Sequence, residues 1–272
     1  ELLAILPLYQ SNETTTERLE MQEIVTPETL APLTPLWWKA AGSSIALIAG
    51  IVLLGSRLEK KGRDNLALAL GVLLLAPEPL VQVWIASRGH WSINESLPLQ
   101  LCDLTAIFSW MALIWRNQKV YECLFYWGIP GALVSLATPE FTLTTGVVNP
   151  DGTLGSETLI FLNYYIGHGG ILAAACYLTF VVGMRPGPGS WWKISLIGQP
   201  LLLTIGLFNW TFGTSYIFLC EPPHVANPLI IGGWPWYVIG MIAMVVAVSL
   251  LLYLPFRPRS RGEDNPARHQ DG

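Results

Sequence analysis

The sequence predicts an all-α membrane protein, a polytopic bundle of seven transmembrane helices with its N-terminus outside and its C-terminus in the cytoplasm. Of the 272 residues, 52% are hydrophobic and only 12% are charged, whereas an ordinary soluble domain carries about 25% charged residues. The charges are concentrated in short segments between long uncharged stretches, a pattern typical of membrane helices and their connections. These observations exclude a soluble enzyme, and the net charge of −4 argues against a nucleic-acid partner.

Seven stretches are long and apolar enough to cross a bilayer core of about 30 Å, which requires roughly 20 helical residues. In chain order they are residues 36–55, 65–87, 97–115, 120–138, 158–184, 194–220 and 235–256. Two Trp residues open the first stretch, and Trp also marks the end of the third and the starts of the sixth and seventh, as interfacial aromatic belts do. In the second stretch, Glu78 stands between two prolines, which predicts a kink there.

The basic residues orient the predicted helices. Of the 15 Lys and Arg residues, 12 follow the first, third, fifth or seventh stretch. By the positive-inside rule these connections are cytoplasmic, so the N-terminus is outside and the number of spans is odd. We therefore predict an acidic extracytoplasmic segment over residues 1–35, a membrane domain over 36–256 and a disordered cytoplasmic tail over 257–272. The predicted location is a cell membrane, of the bacterial plasma-membrane type.

A few polar residues fall inside the predicted spans, where ionisable groups cost about 2.5 to 3.5 kcal/mol and are functional candidates. They are Glu78, Asp103 and His168, with the neutral Asn209 as a further polar group. Glu122 lies one turn from a cytoplasmic end, so we expect it to reach water. At about 1.5 Å per residue, the thiol of Cys102 lies nearer the outer surface than the imidazole of His168. A Cys–His pair therefore requires that the long fifth helix tilts or projects outward.

Each candidate also has a structural interpretation. His168 lies in a Gly-His-Gly-Gly segment, where small residues let a neighbouring helix approach closely. A buried membrane Cys is usually an apolar filler, and Cys102 could instead form a disulfide with Cys220 near the outer face. We interpret Cys123 and Cys176 as packing residues. Glu78 could satisfy amides freed by the kink.

Several ordered motifs resemble one family. Residues 97–104 read LPLQLCDL and resemble the LPLHLCDL signature of the YwaF-type bacterial integral membrane proteins. The resemblance continues through YWGIPGAL at 126–133, His168-Gly169, RPGPGS at 185–190, GTSYIFL at 213–219 and GWPWY at 233–237. Eukaryotic relatives of that family resemble membrane phospholipid acyltransferases, which implies a nucleophile at Cys102 and a base at His168. The architecture is also similar to that of membrane lipid-ester hydrolases that use Thr in place of Cys. Gln100 stands where the family often has His, so it can orient or donate but cannot act as a base.

The resemblance and the residues together predict a thiol-dependent phospholipid acyltransferase. His168 would take the thiol proton, and Cys102 would form an acyl thioester. The acyl group would then be transferred to the hydroxyl of a lysophospholipid. Glu78, Asn209 or Asp103 would orient the imidazole, and Tyr216 or Asn209 would stabilise the oxyanion. The expected partners are membrane lipids, a phospholipid acyl donor and a lysophospholipid acceptor, and we predict no cofactor and no metal.

The alternative is a non-enzymatic membrane protein. Its polar core of Glu78, Asp103 and His168 would be a proton relay in a small-solute or proton-coupled transporter, or part of a seven-helix receptor-like module. The sequence disfavours a retinal protein more firmly, because the five Lys residues all flank the predicted spans and none lies mid-helix to form a Schiff base.

Overall fold

The described part of the chain is almost entirely helical. The computed structural model describes residues 28–29, 33–89, 91–94, 96–139, 142–143, 158–222 and 231–257. The predicted acidic segment, apart from residues 28–29, 33 and 34, and the predicted tail beyond residue 257 lie outside the described residues. The α-helices are α1 Pro35–Arg57, α2 Lys60–Leu75, α3 Pro77–Ser87, α4 Leu101–Trp115, α5 Gln118–Cys123, α6 Ile129–Ala137, α7 Thr158–Tyr177, α8 Ser190–Phe212 and α9 Trp236–Tyr253.

Shorter elements complete the architecture. Two π-helical turns, Leu124–Gly128 and Leu178–Val182, follow α5 and α7 without a break, and 3₁₀ turns cover Tyr216–Phe218 and Leu254–Phe256. Two two-residue strands, β1 Glu28–Thr29 and β2 Thr142–Leu143, pair antiparallel, with Glu28 opposite Leu143. This pair ties the segment before α1 to the connection after α6.

Six of the helical segments are long and apolar enough to cross a membrane. They are Pro35–Arg57, Lys60–Ser87, Gln118–Ala137, Phe161–Val182, Ser190–Phe212 and Trp236–Phe256. The remaining predicted span, the third, contains α4, which is apolar but has only 15 residues and is therefore about 22 Å long. The all-helical membrane bundle is thus confirmed, whereas the count of seven spans stays a prediction.

Two predicted spans differ clearly from the helices observed. The third begins at Leu101 and not at residue 97, because the Pro98 segment is not helical and Gln100 is the N-cap in extended conformation. The sixth ends at Phe212, since Gly213 follows with a φ of 67°, a left-handed conformation that favours glycine and ends helices. Cys220 and Tyr216 therefore lie outside α8. The predicted kink is confirmed, because α2 and α3 separate at Ala76 and a proline opens α3.

Helix α7 is the centre of the bundle. It packs against α1, α2, α4 and α6. In its span, 72% of the most apolar stretch is buried, compared with 17% for the span of α8 and 11% for that of α9. The Gly-His-Gly-Gly segment permits a close approach to α2: a Cβ atom placed on Gly170 would overlap Leu74 Cδ2 and lie 3.2 Å from Leu74 Cγ.

One end of the bundle carries most of the basic residues, and we call it the basic end. There Arg116 after α4 forms a salt bridge with Asp64 of α2, and the Tyr177 hydroxyl at the end of α7 donates to the Arg63 carbonyl oxygen over 2.7 Å. Since α2 begins where α4 ends, α4 runs antiparallel to α2 along the bundle.

Glu122 is buried at the basic end, so the expectation that it reaches water is wrong. Its side chain is 9% exposed. The Gly187 N–H and the Gln118 amide each donate to its Oε1 over 2.8 Å. The RPGPGS connection between α7 and α8 folds over the carboxylate, and the backbone amide that it supplies replaces water as the partner.

Candidate functional site

A large cavity lies between α4, α6 and α7 on one side and α8 and α9 on the other. Its volume is about 1090 Å³, slightly above the usual range of about 300 to 1,000 Å³ for small-molecule sites. Residues 213–222 roof it at the end opposite the basic end, and its wall along α9 reaches from Val238 to Val246, about 12 Å of helix. No Lys or Arg is among the described residues that line it. Its polar lining includes Glu78, Asn94, Gln100, Cys102, Asp103, Asn163, His168, Gln199 and Glu221.

Cys102 is the second residue of α4 and lines the cavity near its roof. Its Sγ donates a hydrogen bond to Asp103 Oδ1 over 3.7 Å. The other carboxylate oxygen, Oδ2, accepts from the Gln100 backbone N–H over 3.1 Å. The thiol is therefore oriented by the neighbouring carboxylate, which is itself held by the helix N-cap. All four cysteines are free, so the alternative of a disulfide between Cys102 and Cys220 is wrong.

His168 lies at the middle of α7 and is 8% exposed. Its Nδ1 is 2.8 Å from the Tyr164 carbonyl oxygen. Because a carbonyl oxygen only accepts, Nδ1 carries the ring proton and Nε2 keeps its lone pair. The Tyr164 ring lies 4.2 Å from the imidazole, centroid to centroid, and its hydroxyl donates to the Ser135 carbonyl oxygen over 2.7 Å. Nε2 has no hydrogen-bond partner within the described part of the chain.

Cys102 and His168 line the same cavity but are not bonded to each other. No hydrogen bond joins the thiol and the imidazole among the described residues, and the thiol proton points to Asp103. The same described residues contain no group of three or more His, Cys, Asp or Glu side chains that could hold a metal ion.

Glu78 belongs to a polar cluster on the α3 side of the cavity. Its Oε1 accepts from Gln82 Nε2 over 2.8 Å, and Gln82 also bonds the Ser96 carbonyl oxygen and the Trp91 indole. Sequence reasoning missed Gln82, although its position four residues after Glu78 on a helix is a signal of such a pair. This cluster fastens α3 to the segment before α4.

Asn209 and Tyr216 do not line the cavity; they build its roof. Asn209 Oδ1 accepts from the Thr214 hydroxyl over 2.7 Å and from the Tyr216 N–H over 3.0 Å. The Tyr216 hydroxyl donates to the Ile93 carbonyl oxygen over 2.7 Å and accepts from the Leu97 N–H over 3.0 Å. Because these groups are engaged with the backbone, we leave them out of the reacting site.

Gln100 joins the roof to the start of α4. Its Oε1 accepts from the Ile217 N–H over 2.9 Å. Ile217 and Phe218 have φ values of 56° and 54°, and non-glycine residues in this left-handed region are strained. The acceptor of Gln100 therefore stabilises a turn that the local sequence does not favour, directly above Cys102.

Comparison with known proteins places the chain in a family. The sequence model of the TMEM164 family matches residues 29–253, which is most of the chain and includes the whole cavity. The chain belongs to the TMEM164 family. This TMEM164 family member is similar to an uncharacterized protein of Treponema pallidum (strain Nichols). The two are 24% identical over 235 residues, which are 84% of this chain and 91% of the relative. No solved structure matches it. Membership of the TMEM164 family agrees with a multi-span membrane protein, whereas the YwaF-type assignment stays a prediction.

Proposed function

We propose that this TMEM164 family member is a membrane-embedded, thiol-dependent phospholipid acyltransferase. Cys102 carries the acyl group as a thioester, and His168 is the base that activates the acyl acceptor. One observation carries the proposal: the thiol and the unpartnered Nε2 of the imidazole line a single cavity of about 1090 Å³. A nucleophile and a base at one cavity are the minimum set for acyl transfer through a covalent intermediate.

The lining of the cavity supports a lipid as the acyl donor. Much of it is apolar, with residues such as Leu73, Ile107, Val134 and Met241, which suits an acyl chain. Phosphate groups are usually held by Arg or Lys, and no described lining residue is basic. This disfavours a soluble acyl donor that would bring several phosphates into the cavity. A phospholipid fits if its acyl ester enters the cavity while its single phosphate stays at the membrane surface. A lysophospholipid hydroxyl is the acceptor, and water in its place would make the protein a lipid hydrolase.

The topology that goes with this function has seven passes, with α4 as the short third pass. The basic end is cytoplasmic by the positive-inside rule, in a bacterial cell on the inner side of the plasma membrane. The cavity then opens in the outer half of the bilayer. The exposed Cys220 beside the roof tests this: a membrane-impermeant maleimide should label it in intact cells. A Cys220→Ser variant should not be labelled, which shows that the label is on Cys220. Labelling of Cys220 only after permeabilisation would contradict the proposed outside location of the roof.

Activity is tested in liposomes of defined composition. The purified protein is mixed with a phospholipid labelled in one acyl chain and an unlabelled lysophospholipid, and label transfer is followed by mass spectrometry. Cys102→Ser and His168→Ala should lower the rate by about 10² to 10⁴, while Cys220→Ser, at an exposed cysteine, should leave it unchanged. Full activity of Cys102→Ser would refute the nucleophile. If the liposomes take up a solute, and this uptake depends on Glu78 but not on Cys102, the protein is a transporter and not an acyltransferase.

A further inference from the structure

We infer that the acid–base work of the site is divided between two residues: Asp103 takes the proton of the Cys102 thiol, and His168 takes that of the acyl acceptor. The inference rests on the proposed function. It departs from the simpler expectation that one imidazole serves both half-reactions. Three observations lead to it: the direction of the thiol hydrogen bond, the charge balance in the cavity and the orientation of the imidazole.

The thiol is bonded to a carboxylate and not to the imidazole. Sγ of Cys102 donates to Asp103 Oδ1 over 3.7 Å, and no hydrogen bond within the described residues links it to His168. The Asp103 carboxylate is kept in place through Oδ2, which accepts from the Gln100 N–H. Asp103 thus touches the reacting sulfur atom and has a fixed orientation toward it.

Charge balance favours transfer to the carboxylate. Moving the proton from the thiol to Asp103 exchanges a carboxylate for a thiolate, so the pair has one negative charge before and after. Moving it to the neutral imidazole of His168 would create a cation and an anion at once in a mostly apolar cavity, which is costly. Cys102 and Asp103 are the second and third residues of α4, and the helix N-terminus favours negative charge at both positions.

His168 is arranged for the second half-reaction. Its Nδ1–H is committed to the Tyr164 carbonyl oxygen, so Nε2 is the acceptor that faces the cavity. A lysolipid hydroxyl that enters after the first product leaves meets this lone pair without displacing any protein group. In this scheme the imidazolium formed there returns its proton to the departing sulfur across the cavity that both residues line.

The two half-reactions balance. In the first, the S–H proton moves to Asp103 Oδ1, Sγ bonds to the acyl carbon, the ester C–O bond breaks, and the leaving lysolipid oxygen takes the proton from Asp103. In the second, the acceptor hydroxyl gives its proton to His168 Nε2 and its oxygen bonds to the acyl carbon. The C–S bond then breaks, and the thiolate recovers the proton from the imidazolium.

Trapping the acyl-enzyme tests the division. The variants Asp103→Asn and His168→Gln are reconstituted in liposomes that contain a phospholipid with a radiolabelled acyl chain, and hydroxylamine-labile label on Cys102 is measured over time. His168→Gln should form the adduct and accumulate it, because only the transfer step is impaired. Asp103→Asn should form it about a hundredfold more slowly or worse. Asp64→Asn, the same change at the basic end, is the matched control and should behave like the parent protein.

The outcomes separate the inference from the proposed function. If His168→Gln fails to form the adduct, or if Asp103→Asn forms it at the parent rate, the division of roles is wrong while the thiol mechanism stands. If the parent protein neither forms an adduct at Cys102 nor transfers label, the proposed function itself fails. Asp103→Glu retains a carboxylate and should recover part of the acylation rate, which distinguishes proton transfer from a loss of folding in Asp103→Asn.

Discussion

The packing of α7 against α2 can be tested at Gly170. An alanine methyl there would overlap Leu74 Cδ2 and lie 3.2 Å from Leu74 Cγ, and Leu74 is only 6% exposed. Inserting a methyl group into such a packed contact costs about 1 to 3 kcal/mol. At the neighbouring Gly169, the nearest atoms to an added methyl are Ser44 Oγ at 3.6 Å and Ser44 Cβ at 3.7 Å, an ordinary contact. Gly169→Ala is therefore the matched control.

The expected difference between the two variants is about 2 kcal/mol, because both gain the same helix propensity and only one is overpacked. That free energy corresponds to about a 30-fold change in the folding equilibrium and to a melting temperature about 4 to 8 °C lower for Gly170→Ala. Thermal unfolding of both variants in one detergent, followed by Trp fluorescence, measures it. In a Leu74→Ala background the difference should vanish. Equal melting temperatures, or a difference that persists with Leu74→Ala, would refute the close contact.

Three further variants test the connections around the bundle, each by thermal unfolding. Asn209→Ala removes three side-chain hydrogen bonds that join α8 to Thr214 and Tyr216 of the roof and should cost about 1 to 3 kcal/mol. Thr214→Val removes one of the three and should cost less; the reverse order would contradict this. Glu122→Ala removes the acceptor of the part-buried Gly187 N–H and should be destabilised by about 1 to 3 kcal/mol, but Glu122→Gln keeps an acceptor oxygen and should melt near the parent protein. Gln100→Leu removes the acceptor for the Ile217 N–H and should lower the melting temperature and the transfer rate. Gln100→Glu retains an acceptor oxygen and should lower them less. Identical behaviour of the two variants would argue against this hydrogen bond.

The membrane helices could be predicted because lipid dictates their length and apolar character. Averaged hydropathy does not locate helix ends, which explains the two displaced boundaries. Pro98 delays the start of α4 and Gly213 ends α8. Both are local backbone signals that the sequence contains, and they were outweighed by the apolar residues around them.

The residues of the site were predicted unevenly, for a geometric reason. Counting residues along a predicted span gives the depth of a side chain in the membrane. It does not give the direction in which that side chain faces, and it does not show where the helix ends. Cys102 and His168 reach one cavity, while Asn209, which the sequence predicts to orient the imidazole or stabilise the oxyanion, instead holds the roof. The burial of Glu122 depends on a connection that folds back from α7, a long-range contact that no local pattern contains.

The contrast between the buried α7 and the thinly covered α8 and α9 has a practical consequence for purification. Only 17% and 11% of the most apolar stretches of these two spans are buried within the bundle. In a bilayer an annulus of lipid would cover the rest of their surface, and a detergent that removes this annulus would leave one wall of the cavity less supported. Lipid nanodiscs, which retain the annulus, are for this reason the appropriate vehicle for biochemical work. The thickness of the bilayer and the saturation of the lipid tails should then affect the stability of the cavity wall, and both should be varied alongside substitutions in the chain.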